Sequence, residues 1–338
     1  MMIKLTMPHN CPASVAGLRH PLVLESMPMA HLPPQRYRSI FSSATVHERQ
    51  ENFEHYWQFI QSKTGTLLET TRDLSKKRST LHHFQAHVVR TRRPLPNPAA
   101  FYRNCLTWRE TPATLPRQTL MLTALYKVAW HEWMGISSAW ERTPSLAQAR
   151  NLLDKITRYH LAEEFGHIRL FEEMFRTVHL EQVVWHPPGP RQRLMYQGLL
   201  ALPSWLLYAP AFVSELMGFV FYWEVDALLD DLWAHDPEAC QRLRALLHEI
   251  MADELAHIGL RRNFLGTPAV KVAYGLVAPM IRLFFRDIPE SRDVCDIDRM
   301  VRRAQQFDYS GFAPTLLQQS WVPSYCQVPT TDRPSAPI

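Results

Sequence analysis

Glycine is scarce in this chain, at 11 of 338 residues. Folds that cradle nucleotides spend glycine on tight strand-to-helix turns. No stretch here repeats strand, turn, helix and turn, so a Rossmann or TIM architecture is not expected. Cysteine is equally unhelpful to a framework fold. Cys11, Cys105, Cys240, Cys295 and Cys326 make an odd count, with no C-x-x-C pair. That argues against a disulfide scaffold or a zinc knuckle and fits reduced thiols in a cytoplasm. The opening MMIKLTMPHNCP lacks the apolar run of a signal peptide. A strong charge of one sign is missing too: Lys plus Arg is 37 and Asp plus Glu 32, for a net +5. The basic runs Lys76-Lys77-Arg78 and Arg90 to Arg93 have no nucleic-acid-binding motif around them. A nucleic-acid partner is therefore not expected, whereas a mildly basic face would speed encounter with an acidic redox partner. No flavin or nicotinamide motif is present.

What remains is long, apolar and helical in period, and the expected class is all-α. Residues 1–34 read as an extended Pro-rich arm, and 35–115 as an N-terminal helical region packed on the core. RRPLPNP interrupts the chain at 92–98. Residues 116–310 hold the main helices, predicted at 117–141, 146–177 (capped by Ser145), about 192–234, 237–264, 269–286 and 292–307. Residues 311–338 read as a Pro-rich tail. The third segment contains LMYQGLLALPSWLLYAPAFVS, 194–214, which has no charge and nearly the length of a membrane span. Pro203 and Pro210 break it, and Glu215 and Glu224 follow. It reads as a buried, kinked core helix, with a greasy substrate channel or a membrane-facing surface as the other reading.

Two short stretches carry the chemistry. HLAEEFGH, 160–167, and ADELAH, 252–257, each hold Glu-x-x-His inside a predicted helix. Positions three apart lie on one helix face, so Glu164 and His167 can bind one ion, as can Glu254 and His257. Alone the motif is weak, since about one copy arises by chance from the Glu and His content. Each copy, however, sits among apolar residues, where a charge must be paired or metal-bound. Each also follows an apolar helix that contains a Glu: Glu132 lies 32 residues before Glu164, and Glu224 lies 30 before Glu254. Four helices in the order Glu, Glu-x-x-His, Glu, Glu-x-x-His would gather four carboxylates and two imidazoles, the donor set of ferritin-like di-iron and di-manganese bundles. Mixed oxygen and nitrogen donors without thiolate suit iron or manganese.

Several assignments have rivals. Glu215 competes with Glu224. The two stand nine residues apart and face opposite sides of a regular helix. Glu224 is preferred because its spacing to Glu254 nearly repeats that of Glu132 to Glu164. Glu215 would then make a structural hydrogen bond or line the substrate path. Glu132 itself could instead be a surface residue. His160, four before Glu164 and on its face, is either a seventh ligand or a core histidine. His248 and His131 point elsewhere. Glu163 and Asp253, one residue before each ligand Glu, either take the outer N–H of the facing helix's histidine or are solvated charges. Ala129, Gly135, Ala162, Gly166, Ala227 and Ala256 would leave room for O2 and a substrate, or simply reflect close helix packing.

At these residues the chain resembles the ferritin-like di-iron oxygenases, and most of all the p-aminobenzoate N-oxygenase family. The match runs through Glu132, AEEFGH, EVDALLDDLWAHD from Glu224, and ADELAH, covering about residues 117–262. It departs at one place. The family's extra histidine, four before the second motif's Glu, is Ile250 here, while the first motif has His160 at the equivalent place. The resemblance implies a ferritin-like four-helix bundle core with additional N- and C-terminal helices. It further implies two Fe ions (or Mn/Fe), O2 as co-substrate, an external donor such as a ferredoxin or reductase, and amine N-oxygenation or C–H hydroxylation of a small molecule. The apolar 194–223 region suggests a less polar substrate than an aminobenzoate. The rivals are a desaturase or hydroxylase of an acyl or quinone-type substrate at a membrane surface, and a non-enzymatic metal-binding helical protein. A homodimer is compatible with either.

Overall fold

A computed structural model describes residues 36–328 apart from 106–113 and 188. The proposed arm and the end of the proposed tail lie outside the described residues. Helix formation follows local signals closely. α1, Val46–Thr64, opens on a capping box in which Thr45 and Glu48 satisfy each other's free backbone N–H. A two-strand hairpin, Leu67–Leu68 with Asp73–Leu74, leads into α2, Ser75–Ala86. α3, Pro98–Asn104, has its Pro at the first position, where the missing N–H costs nothing.

The long helices follow: α4, Arg117–Trp140; α5, Leu152–Thr177; α6, Pro190–Ala201; α7, Ser204–Leu232; α8, Pro237–Asn263; and α9, Thr267–Arg286. Shorter helices complete the chain: α10, Glu290–Val294; α11, Ile297–Gln305; and α12, Pro314–Gln318. The described residues are thus mostly helical, with one minimal hairpin as the only sheet among them.

Three segments differ from expectation. The helix expected at 292–307 is two, α10 and α11, because Cys295 is extended and Asp296 caps a new start by accepting from the N–H of Arg299. α5 begins at Leu152 rather than after Ser145, because Ser145 starts a turn with Gln148 and the N–H of Leu146 is taken by the Glu69 carboxylate. Asn151 caps the helix instead, accepting from the N–H of Asp154. The single helix expected at 192–234 is two helices, α6 and α7, with Pro203 at the cap between them and Pro210 inside α7.

α4 packs on α5, α5 on α8, α8 on α7, and α7 on α4, so four helices form a closed ring. Their buried side chains are large and apolar: Phe171 and Phe175 of α5, Phe212, Leu216, Phe219 and Val220 of α7, and Leu243, Leu247, Ile250 and Leu255 of α8. Burial of each such side chain is worth roughly 1.5–3 kcal/mol. Arg117 at the start of α4 pairs with Asp231 near the end of α7, which makes these two helices antiparallel. The α4–α5 and α7–α8 connections therefore lie at opposite ends of the ring. Outside it, α1 and α2 pack on α5, α1 also on α8, α9 on α7, α10 on α4, and α11 on α9 and α7.

Candidate metal centre

Seven side chains converge inside the ring. One group holds Glu132, Glu164, His167 and Glu254; the other holds His160, Glu164, Glu215 and His257. Within each group the donor atoms lie within 4.8 Å of one another, and Glu164 belongs to both. His167 Nδ1 stands 3.2 Å from Glu164, 3.2 Å from Glu254 and 3.7 Å from Glu132. His257 Nδ1 stands 3.0 Å from Glu164 and 4.0 Å from Glu254. His160 Nε2 lies 3.4 Å from Glu164 and 3.6 Å from Glu215. The histidine rings are neighbours, with His160 and His257 centroids 4.0 Å apart.

Glu224 is not among them, which corrects the expectation from spacing. Its carboxylate is buried at the other side of α7, held by Arg299 and Arg303 of α11. Ala227, one turn on, is exposed. Equal sequence separations were a poor guide because the two connections lie at opposite ends. Glu132 stands eight residues before the end of α4 and Glu164 twelve after the start of α5. Glu215 stands 17 residues before the end of α7 and Glu254 17 after the start of α8, so these two share a height. Glu224 sits nine residues higher on α7, about 13 Å along the axis.

Each Glu-x-x-His histidine is oriented from the facing helix. His167 Nε2 donates to Asp253 at 3.2 Å, and His257 Nε2 donates to Glu163 at 3.2 Å. With Nε2–H fixed outward, each Nδ1 turns to the carboxylates. Asp253 is held in turn by Lys63 of α1, at 3.0 Å, and by Lys77 of α2. The Tyr222 hydroxyl donates to Glu132 at 3.3 Å, one helical face along from Glu215. These two lysines and Tyr222 were missed in the sequence. Tyr222 had a signal, since it lies seven residues after Glu215 on the same face. The lysines had none, because nothing local marks a lysine as bound for a distant helix. His248 binds Asp226 at the protein's outer side. His131, beside Glu132, reaches Tyr196 of α6 instead of the cluster.

The electrostatics show an excess of negative charge. Burial, and then the charge of Glu164, hold Glu132 well above the usual carboxylate range and push Glu254 up to about 7. Burial would lower His167 and His257, but the surrounding carboxylates outweigh it and raise both well above the ordinary imidazole value. Burial would raise Glu164, yet the two histidines hold it well below its ordinary value. His160 is driven well below its ordinary value by burial, His257 and Arg261. Four carboxylates, Glu164 and Glu254 buried and Glu132 and Glu215 half-buried, thus face one nearby arginine, an arrangement that is costly without cations. His167 Nδ1, His257 Nδ1 and Glu164 Oε2 are buried and make no hydrogen bond among the described residues. Buried polar atoms of this kind are rare unless something binds them. Three imidazoles and four carboxylates, without thiolate, fit two divalent ions of the iron or manganese kind.

No protein-family model, curated protein or solved structure matches this chain.

Proposed function

We propose that the chain is a ferritin-like di-metal oxygenase, most simply di-iron with Mn/Fe as the variant. It would activate O2 to oxidise a small organic substrate. The observation that carries this reading is the pair of donor groups sharing Glu164, inside a ring of four helices. Glu132, Glu164, His167 and Glu254 would hold one ion; His160, Glu164, Glu215 and His257 would hold the other. Two such ions would pass two electrons from the external donor to O2, the other two coming from the substrate as it undergoes amine N-oxygenation or C–H hydroxylation.

The protein's own part is positional. Glu163 and Asp253 fix the tautomer and direction of the two histidines. Tyr222 restrains Glu132. The dry walls from α5, α7 and α8 keep bulk water from the donors, which strengthens every charge interaction inside. Electrons would come from an external ferredoxin or reductase, and the free thiols of Cys240, Cys295 and Cys326 fit a reducing cytoplasm. Anaerobic loading with Fe(II) followed by O2 should give a transient visible absorbance. Glu164→Ala should abolish it. A loaded protein that stays colourless would refute the reading.

One observation favours an apolar substrate met at a lipid surface. Leu194, Met195, Trp205 and Leu206 of α6 and α7 are exposed, and so are Val272 and Leu283 of α9. α7 and α9 are long and apolar enough to cross a membrane. α7, however, carries Glu215 and the buried Glu224, which fits a core helix. Flotation with lipid vesicles separates the two cases.

A further inference from the structure

The two donor groups are not equivalent, because one already contains a cation. Arg261 lies four residues after His257, on the same face of α8. Its Nε donates to Glu215 at 2.9 Å, and its Nη2 lies 3.0 Å from His160 Nε2, where it donates. The guanidinium thus holds two of the four side chains in the second group. Among the described residues no arginine or lysine pairs with the donors of the first group, and Lys63 and Lys77 pair with Asp253 instead. We infer that Arg261 is a resident cation at the second metal position, so that the second ion binds only as Arg261 withdraws. This inference rests on the di-metal reading above.

The physical argument is one of competition. A guanidinium and a divalent ion cannot both sit within bonding distance of His160 Nε2 and Glu215 without strong repulsion in a buried site. His160 Nε2 has one lone pair, so it either accepts from Arg261 or binds a metal. The Arg261 side chain is 27% exposed, so it has a path to water, whereas His160 and His257 are nearly sealed. The consequence is ordered loading. The Glu132, Glu164, His167 and Glu254 position fills first, and the second fills with lower affinity. Arg261 also keeps the His160–Glu215 pair assembled while that position waits.

The test is Co(II) titration of the full chain under anaerobic conditions, read by calorimetry and by visible absorbance. Wild type should bind two ions with affinities at least tenfold apart. Arg261→Met should tighten the weaker event about tenfold or more and leave the tighter one within twofold. Arg261→Lys, which keeps charge but loses the fork, should tighten it less. An unchanged or weakened second event in Arg261→Met would overturn the inference, since Arg261 would then only support Glu215. Failure of the di-metal reading looks different: wild type itself would bind no ion, and Glu132→Ala would change nothing. Should Arg261→Met not fold, Co(II)-soaked crystals of the wild type decide. Anomalous density at the second position with Arg261 displaced supports the inference. Density there with Arg261 still on His160 and Glu215 overturns it.

Discussion

Glu215 and Glu224 belong to the same helix, nine residues apart, and both are largely withdrawn from water. One enters a cluster where four carboxylates face a single arginine. The other is met by two arginines, Arg299 and Arg303, and pairs with no histidine among the described residues. The contrast separates two uses of a buried acid. Where cations match it, the acid is a strut: Glu224 ties α11 to α7. Where acids outnumber cations and imidazole nitrogens are left without hydrogen bonds, the proposed role is to take ions from outside.

The largest effect that would sharpen this contrast is at the shared residue. Glu164→Ala should drop bound Mn(II) from two per chain to none in equilibrium dialysis, with helix content by circular dichroism unchanged. Glu224→Gln should do the reverse. It should leave the bound metal at two and lower stability by about 1–3 kcal/mol in urea unfolding, discounted because both arginines reach solvent. Loss of metal in Glu224→Gln would break the comparison.

Asp253→Asn should be intermediate for metal. It keeps the fold of α8 but weakens the bond that aims His167, so Mn(II) affinity should fall about 10–100-fold. Unchanged affinity would reduce Asp253 to a partner of Lys63 and Lys77.

The smallest effect is in pH. Glu254 is raised to about 7 from 4.5, so the stability it contributes to the metal-free protein is full below pH 4.5 and lost as pH rises through about 7. An ion takes the deprotonated carboxylate. The rise in melting temperature on adding saturating Mn(II) should therefore be larger at pH 7.5 than at pH 5.5. Equal shifts at both values would argue that Glu254 does not meet the ion.

The sequence showed much of this and missed specific parts for physical reasons. Helix class and the boundaries of α4 and α8 were legible because apolar period and caps are local. Glu-x-x-His was legible because a three-residue spacing is fixed by the helix itself, and Glu163 and Asp253 followed from the same register. The choice of Glu224 over Glu215 went astray because it compared separations across two connections. Those connections lie at opposite ends of the ring, so no common height links them. A better rule for a short connection is distance from the turn, which picks Glu215 directly. Arg261 was missed, although its place four residues after His257 puts it on the ligand face, because only its contact with His160 gives it meaning. Lys63 and Lys77 come from α1 and α2, whose docking on α5 and α8 no local pattern announces.

On the proposed reading, the unmatched acids and unbonded imidazoles hold two ions. Metal analysis of the full chain, loaded anaerobically with Fe(II) or Mn(II) and desalted, tests it most directly. The account predicts close to two ions per chain, with His160, Glu215 and Arg261 governing only the second. Fewer than one ion per chain would contradict it.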